Sequence, residues 1–181
     1  MTSEALQRLW KRLGIPADYA DRARRRLQPE AKRLVVIGRA ADDGKILRLT
    51  PRAAAAWHRM AAAAAAAGVT LLPLSGFRSI ARQTTIIRRK LARGLDIATI
   101  LRVSAVPGCS EHHTGRALDL GTPGNLGLEV TFARTAAYHW LVKHAGRFGF
   151  QLSYPRHNSH GINYEPWHWC WHGARSPRRR G

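Results

Sequence analysis

The sequence predicts a single α+β domain. Its 181 residues, 45% of them hydrophobic, are enough for one compact core. Segments of helical and strand periodicity alternate along the chain. No internal repeat is present, and no stretch rich in Gly, Ser or Pro divides the sequence.

Leu6, Leu9, Trp10 and Leu13 recur at helical spacing, and Gly14 and Pro16 end that helix. Arg24, Arg25, Arg26 and Pro29 follow. Leu34 to Gly38 reads as a strand, and Asp42-Asp43-Gly44 as a turn into a second strand, Ile46 to Leu49. Thr50 and Pro51 then fit the N-cap and first position of a helix whose alanine run, Ala61 to Ala67, stops at Gly68. Val69 to Leu74 is a buried-looking strand that leads into Ser75-Gly76-Phe77-Arg78-Ser79. Helices are expected at Ile80 to Arg93 and Asp96 to Leu101, and a loop from Ala105 to Glu111. Arg116 to Leu120 is a short strand, and one long helix is expected from Phe132 to Phe148, closed by Gly149. Strands are expected at Phe150 to Tyr154 and at Asn163 to Trp171, before a basic, frayed tail.

Charge is lopsided: 30 Lys and Arg against 11 Asp and Glu give a formal net charge of +19. That balance favours contact with anionic matter such as nucleic acid, acidic lipid or acidic wall polymer. Two cysteines cannot form a disulfide framework, and Cys109 and Cys170 are expected as free thiols. No stretch is apolar for the length that spans a bilayer. Glu4, Arg8, Lys11 and Arg12 interrupt the first residues, which therefore lack the apolar core of an export signal. On that ground the protein is expected in the cytoplasm, with action in the periplasm or wall left open.

The nine histidines raise a metal question. His112 and Asp119 are separated by Thr114-Gly115-Arg116-Ala117-Leu118, in which the glycine lets the chain turn and a short strand delivers Asp119. Glu165-Pro166-Trp167-His168 supplies a third ligand and a nearby carboxylate. Two imidazoles and one carboxylate suit zinc, with water in an open fourth position. Glu165, fixed close to His168, is then the candidate to accept a proton from that water and pass it to a leaving amine. A competing structural site could use Cys109, His112, His113, His168 and Cys170. His168 and His172 also share the offset of a helical zinc pair, although Trp167 to Trp171 reads as a strand.

Four segments occur in an order that resembles a known family. They are Ser75 to Ser79, then Gln83, then Ser110 to Asp119, then Tyr164 to His168. Together they look like the motifs of the VanY-type D-alanyl-D-alanine carboxypeptidases, a group of zinc muramoyl-peptidases. The resemblance implies a small antiparallel sheet with flanking helices and a zinc site on the sheet and adjacent loops. The chain is then expected to divide into an N-terminal helical extension at 1–33 packed on the domain, a zinc peptidase domain at 34–173 and a basic tail at 174–181. The resemblance makes His112, Asp119 and His168 the ligands of one zinc ion and Glu165 the base and acid. Arg78 would face the substrate and the developing oxyanion, where a fixed guanidinium stabilises negative charge. Gln83 and Ser110 match positions that contact the peptide. Tyr154, at the end of a strand, is a further candidate for the pocket wall.

The expected reaction is hydrolysis that removes a terminal D-alanine from peptidoglycan stem peptides or precursors, by a monomer. A D-Ala-D-Ala dipeptidase, an L,D-carboxypeptidase and a wall endopeptidase would use the same scaffold. From a different class, a basic nucleic-acid-binding protein would fit the charge, but no zinc-finger spacing, RNA-binding aromatic motif or clear helix-turn-helix is present. A peptidase homologue that binds wall peptides without cutting would not need Glu165. The arginine excess is expected to attract anionic wall polymer and to recognise no specific nucleic acid.

Overall fold

The structure is a computed structural model that describes residues 3–22, 25–159 and 162–173. The basic tail expected at 174–181 lies outside the described residues, as does Arg24. The helices are α1 (Ser3–Arg12), α2 (Tyr19–Arg22), α3 (Pro51–Ala66), α4 (Ile80–Leu91), α5 (Ile97–Arg102) and α6 (Ala136–His144). The strands are β1 (Val35–Arg39), β2 (Ile46–Leu49), β3 (Leu72–Ser75), β4 (Ala117–Gly121), β5 (Phe150–Leu152) and β6 (His168–Trp171). β1 and β2 form an antiparallel hairpin. The other four strands form a second antiparallel sheet in the order β3-β4-β6-β5.

The hydrophobic effect assembles two cores. In one, α3 buries Ala53, Ala56, Trp57, Met60 and Ala64 against Leu118 and Leu120 of β4, Phe150 of β5 and Trp169 of β6. The small alanines let α3 lie close to its neighbours. In the other, Leu6, Leu9 and Trp10 of α1 and Leu13 just after it pack with Ile80 and Ile87 of α4 and with Ile100. The Trp10 indole N–H donates to the Pro107 carbonyl at 2.8 Å, which ties α1 to the loop before the site. Helix α4 buries Ile80, Gln83, Thr84 and Ile87, the stripe that a 3.6-residue period places on one face. Ser79 caps it by accepting from Arg82 N–H, and Asp96 caps α5 in the same way.

Three expectations are corrected. The long helix from Phe132 to Phe148 is instead a 3-10 turn (Val130–Arg134), α6 and a second 3-10 turn (Ala145–Phe148). Thr135 makes the break: it is extended, and its hydroxyl accepts from Tyr138 N–H as the N-cap of α6. The strand expected from Asn163 shrinks to β6, because Pro166 brings no N–H to a ladder and Glu165 to His168 form a turn. The strand expected from Val69 pairs only from Leu72, and its Pro73 is tolerated because β3 is an edge strand. Thr50 precedes α3 with Pro51 at its start, but the threonine hydroxyl makes no capping bond.

Gly115 is a tight local constraint beside the site. It ends the turn Glu111–Thr114 at φ 63°, and a Cβ there would stand 2.8 Å from Leu34 Cδ2. Gly115→Ala is therefore expected to lower unfolding free energy by about 1–2 kcal/mol, from the left-handed backbone alone. Urea unfolding followed by circular dichroism measures it, and an unchanged midpoint would contradict the constraint.

Candidate active site

Sheet register brings the chemistry together. Asp119 of β4 pairs directly with His168 of β6, and Ser75 of β3 pairs with Asp119 on its other side. His112 comes from the 3-10 turn before β4, which Gly115 reverses into the strand. The three expected ligand residues, His112, Asp119 and His168, are all buried. Each offers one donor atom to a cluster in which those atoms lie within 4.8 Å of one another. His112 Nε2 is 3.1 Å from Asp119 Oδ2, and His168 Nδ1 is 3.0 Å from Asp119 Oδ1.

Supporting bonds set the direction in which each ring points. His112 Nδ1–H donates to the Gly76 carbonyl at 2.6 Å, which leaves Nε2 facing the cluster. His168 Nε2–H donates to Glu111 Oε2 at 2.9 Å, which leaves Nδ1 facing Asp119. The Ser153 hydroxyl donates to that same Glu111 oxygen at 2.6 Å. A carboxylate that holds the far nitrogen of a ligand imidazole is the usual outer support of a metal site. Glu111 therefore belongs to the site although its position between Ser110 and His112 gives no hint of that role. The donor set, two nitrogens and one carboxylate with their outer bonds made, fits a borderline ion such as zinc.

The electrostatics agree with that geometry. Burial alone would raise the Asp119 pKa, but His112 and His168 outweigh it and hold the carboxyl well below the usual range. Burial also opposes charge on His168, yet the bonds to Asp119 and Glu111 push it up to about 10. Glu111 overcomes its own burial through His168 and Ser153 and falls to about 2. Glu165 behaves in the opposite way. Burial pushes its carboxyl up to about 7 against the pull of the His168 charge. Glu165 lines the same cavity, of about 440 Å³, but is not one of the three clustered donors. Its backbone N–H donates to the Tyr154 carbonyl at 3.1 Å.

The remaining expected residues divide. Arg78, Ser110 and Tyr154 line the cavity. Arg78 stands 3.6 Å from Asp119 Oδ2 and donates to Ser75 Oγ and Gln83 Oε1, each at 3.0 Å. The Tyr154 ring lies 4.8 Å from that of His168. Gln83 was expected against the peptide, but it is buried behind Arg78, with its amide spent on Arg78 and on the Ala105 carbonyl. Lys90, indistinguishable in sequence from the other basic residues of α4, also lines the cavity.

The competing Cys and His site does not form among the described residues. His113 Nδ1–H donates to the Arg78 carbonyl at 2.6 Å and its Nε2 accepts from Gly108 N–H at 3.1 Å, so neither nitrogen is open. Cys109 is packed in the α1 core, and both cysteines are buried free thiols. Glu111, Cys170 and His172 are near enough to share an ion, but Glu111 is already engaged by His168 and Ser153. Burial also pushes the Cys170 thiol far up, against the thiolate a metal needs.

Comparison with known proteins points the same way. The profile of the VanY D-alanyl-D-alanine carboxypeptidase family matches residues 46–174. A D-alanyl-D-alanine carboxypeptidase of Enterococcus faecalis is 35% identical over 123 residues, which cover 61% of this chain and 43% of that protein. The chain thus spans less than half the length of that relative. Among solved structures, the LD-carboxypeptidase LdcB superposes with a TM-score of 0.73 at 31% identity, over 81% of this chain and 71% of that one. A variant of the vancomycin-resistance D,D-pentapeptidase VanY in complex with Zn(II) gives a TM-score of 0.63 at 29% identity, over 81% and 82%.

The ligand geometry makes a direct prediction for calorimetric titration with zinc. The parent should take up one ion per chain, and His112→Ala or Asp119→Ala should abolish that uptake. Glu111→Gln should bind zinc about ten to a hundred times more weakly, because the outer support of His168 is lost. Unchanged affinity in Glu111→Gln, in a protein with parental circular dichroism, would remove Glu111 from the site.

Proposed function

Since the chain belongs to the VanY family of D-alanyl-D-alanine carboxypeptidases, we propose that it is a zinc-dependent peptidase that releases a terminal D-alanine from peptidoglycan stem peptides. The observation that carries this reading is the cluster of His112, Asp119 and His168 donors beside a separate, half-buried Glu165 carboxyl. That is a ligand set plus a base in one cavity.

His112, Asp119 and His168 would hold the zinc ion, which would supply Lewis acidity and a water acidic enough to react near neutral pH. The chain's own groups do the rest. Glu165 takes a proton from the attacking water and returns it to the nitrogen of the leaving amino acid. Its carboxyl, pushed up to about 7 by burial, is suited to both transfers near neutral pH. Arg78 holds a fixed positive charge beside Asp119, where the scissile carbonyl oxygen becomes negative. Ser75 and Gln83 keep its planar fork from turning away. Ser110 and Tyr154 line the walls that position the peptide.

The superposition with an LD-carboxypeptidase supports a second specificity on the same machinery, in which an L residue precedes the terminal D-alanine. The chain is proposed to act as a monomer, and its +19 charge to draw it toward anionic wall polymer. No described helix is long and apolar enough to cross a membrane.

Incubation with a stem pentapeptide ending in D-Ala-D-Ala and with the corresponding tetrapeptide, followed by chiral analysis of the released amino acid, tests the reading. D-alanine is expected from the pentapeptide. Release from the tetrapeptide alone would favour the second specificity, and release from neither would refute both. Glu165→Gln should keep zinc and fold but lose activity by roughly a hundredfold or more. Near-parental turnover would move the base elsewhere.

A further inference from the structure

We propose that Lys90, supported by Ser104, anchors the free C-terminal carboxylate of the peptide and so makes the cavity a site for chain ends. The inference rests on the peptidase reading of the site.

Lys90 stands in the last turn of α4, half-buried, and lines the catalytic cavity together with Ile86, Val103, Ser104 and Ala105. Its Nζ donates to Ser104 Oγ at 2.7 Å. An ammonium carries three donors, and this bond uses one. The partner is a neutral hydroxyl, and Lys90 closes no ion pair among the described residues. A half-buried cation beside apolar side chains is poorly solvated, and an anion brought to it gains a charge-assisted hydrogen bond.

Arg78 and His168 also line this cavity, but Arg78 is already engaged by Asp119, Gln83 and Ser75, and His168 by Asp119 and Glu111. Lys90 is therefore the cation with donors to spare. Its place along the peptide follows from its neighbours. Lys90 and Ser104 share the cavity lining with Arg78 and Glu165. Glu165 serves the leaving nitrogen, and in a departing amino acid the carboxylate is separated from that nitrogen by one carbon. An anchor for the carboxylate must then share the cavity of the proton donor, and Lys90 and Glu165 line one cavity. An internal peptide bond has no carboxylate at that point and would leave the ammonium without an anion.

The test compares two peptides, one ending in D-Ala-D-Ala and the other its C-terminal carboxamide, with the zinc-loaded full chain. The parent should prefer the free acid by on the order of a hundredfold in kcat/KM, mostly through KM. Lys90→Met should collapse that ratio toward one, and Lys90→Arg should restore most of it. A Lys90→Met variant that keeps the ratio, or a parent with no preference for the free acid, would overturn the anchor. A lysine that only braces the loop through Ser104 would lower both rates by one factor and leave the ratio, which overturns it equally. Lys90→Gln gives the same readout if the methionine variant loses its circular dichroism. If the parent cuts neither peptide, the peptidase reading fails separately. Calorimetric binding of the two peptides to parent and variant then still decides whether Lys90 holds the carboxylate.

Discussion

A buried carboxylate sets the terms for the rest of this site. Asp119 sits in the central part of the sheet with almost no access to water. A charge there is tolerated only if it is paired and hydrogen-bonded. His112, His168 and Arg78 provide the pairing. Each of them is useful only if held, and each is held by a group on another element. The Gly76 carbonyl holds His112, Glu111 and Ser153 hold His168, and Ser75 and Gln83 hold Arg78. Gln83 is in turn fixed by the Ala105 carbonyl. The network therefore reaches from β3 and α4 to the turn before β4 and the segment after β5. That reach ties fold to function. A change that loosens α4 or shifts the register of β4 against β6 would disturb the donor cluster without touching any ligand.

Local backbone features exist to serve that network. Gly76 approaches Arg48 so closely that a Cβ would meet its carbonyl oxygen at 2.8 Å. The same segment bonds β2 through Phe77 N–H to Arg48 O and bonds the His112 turn through Arg78 N–H. Ser79 then starts α4 at once. The short run from Ser75 to Ser79 thus joins the sheet edge, the β1-β2 hairpin, the ligand turn and α4.

Much of this was legible in sequence, for physical reasons. The α3 helix is announced by Pro51 at its start and by its alanine run, and the candidate ligand residues by an unusual density of His and carboxylate in two short segments. What was hidden depends on tertiary placement. Thr135 as an N-cap inside an apparent long helix competes with continuous helical propensity, and only its extended backbone reveals it. Gln83 looks like any polar residue on an amphipathic helix, yet the fold turns it inward to hold Arg78. Glu111 is hidden because no local pattern tells a carboxylate that supports a ligand from one in solvent. Its role exists only once β6 brings His168 alongside.

The cavity is lined by two carboxyl groups in different environments, and the proposed acid–base chemistry depends on that difference. Asp119 is surrounded by two imidazoles and a guanidinium, which overcome its burial and keep it ionised. For Glu165 burial outweighs the pull of the His168 and Arg78 charges, and its carboxyl rises to about 7. The first group is fixed in the form that binds a cation. The second is free to gain and lose a proton near neutral pH. Environments that drive two titratable groups apart in this way assign them different tasks. Here the assignment arises from the strand register: Asp119 lies opposite His168 within the sheet, whereas Glu165 lies in the turn before β6, three residues before that histidine. In the proposed mechanism, exchanging the two would put the mobile proton on the metal ligand and the permanent charge on the base, and neither proposed task could then be done.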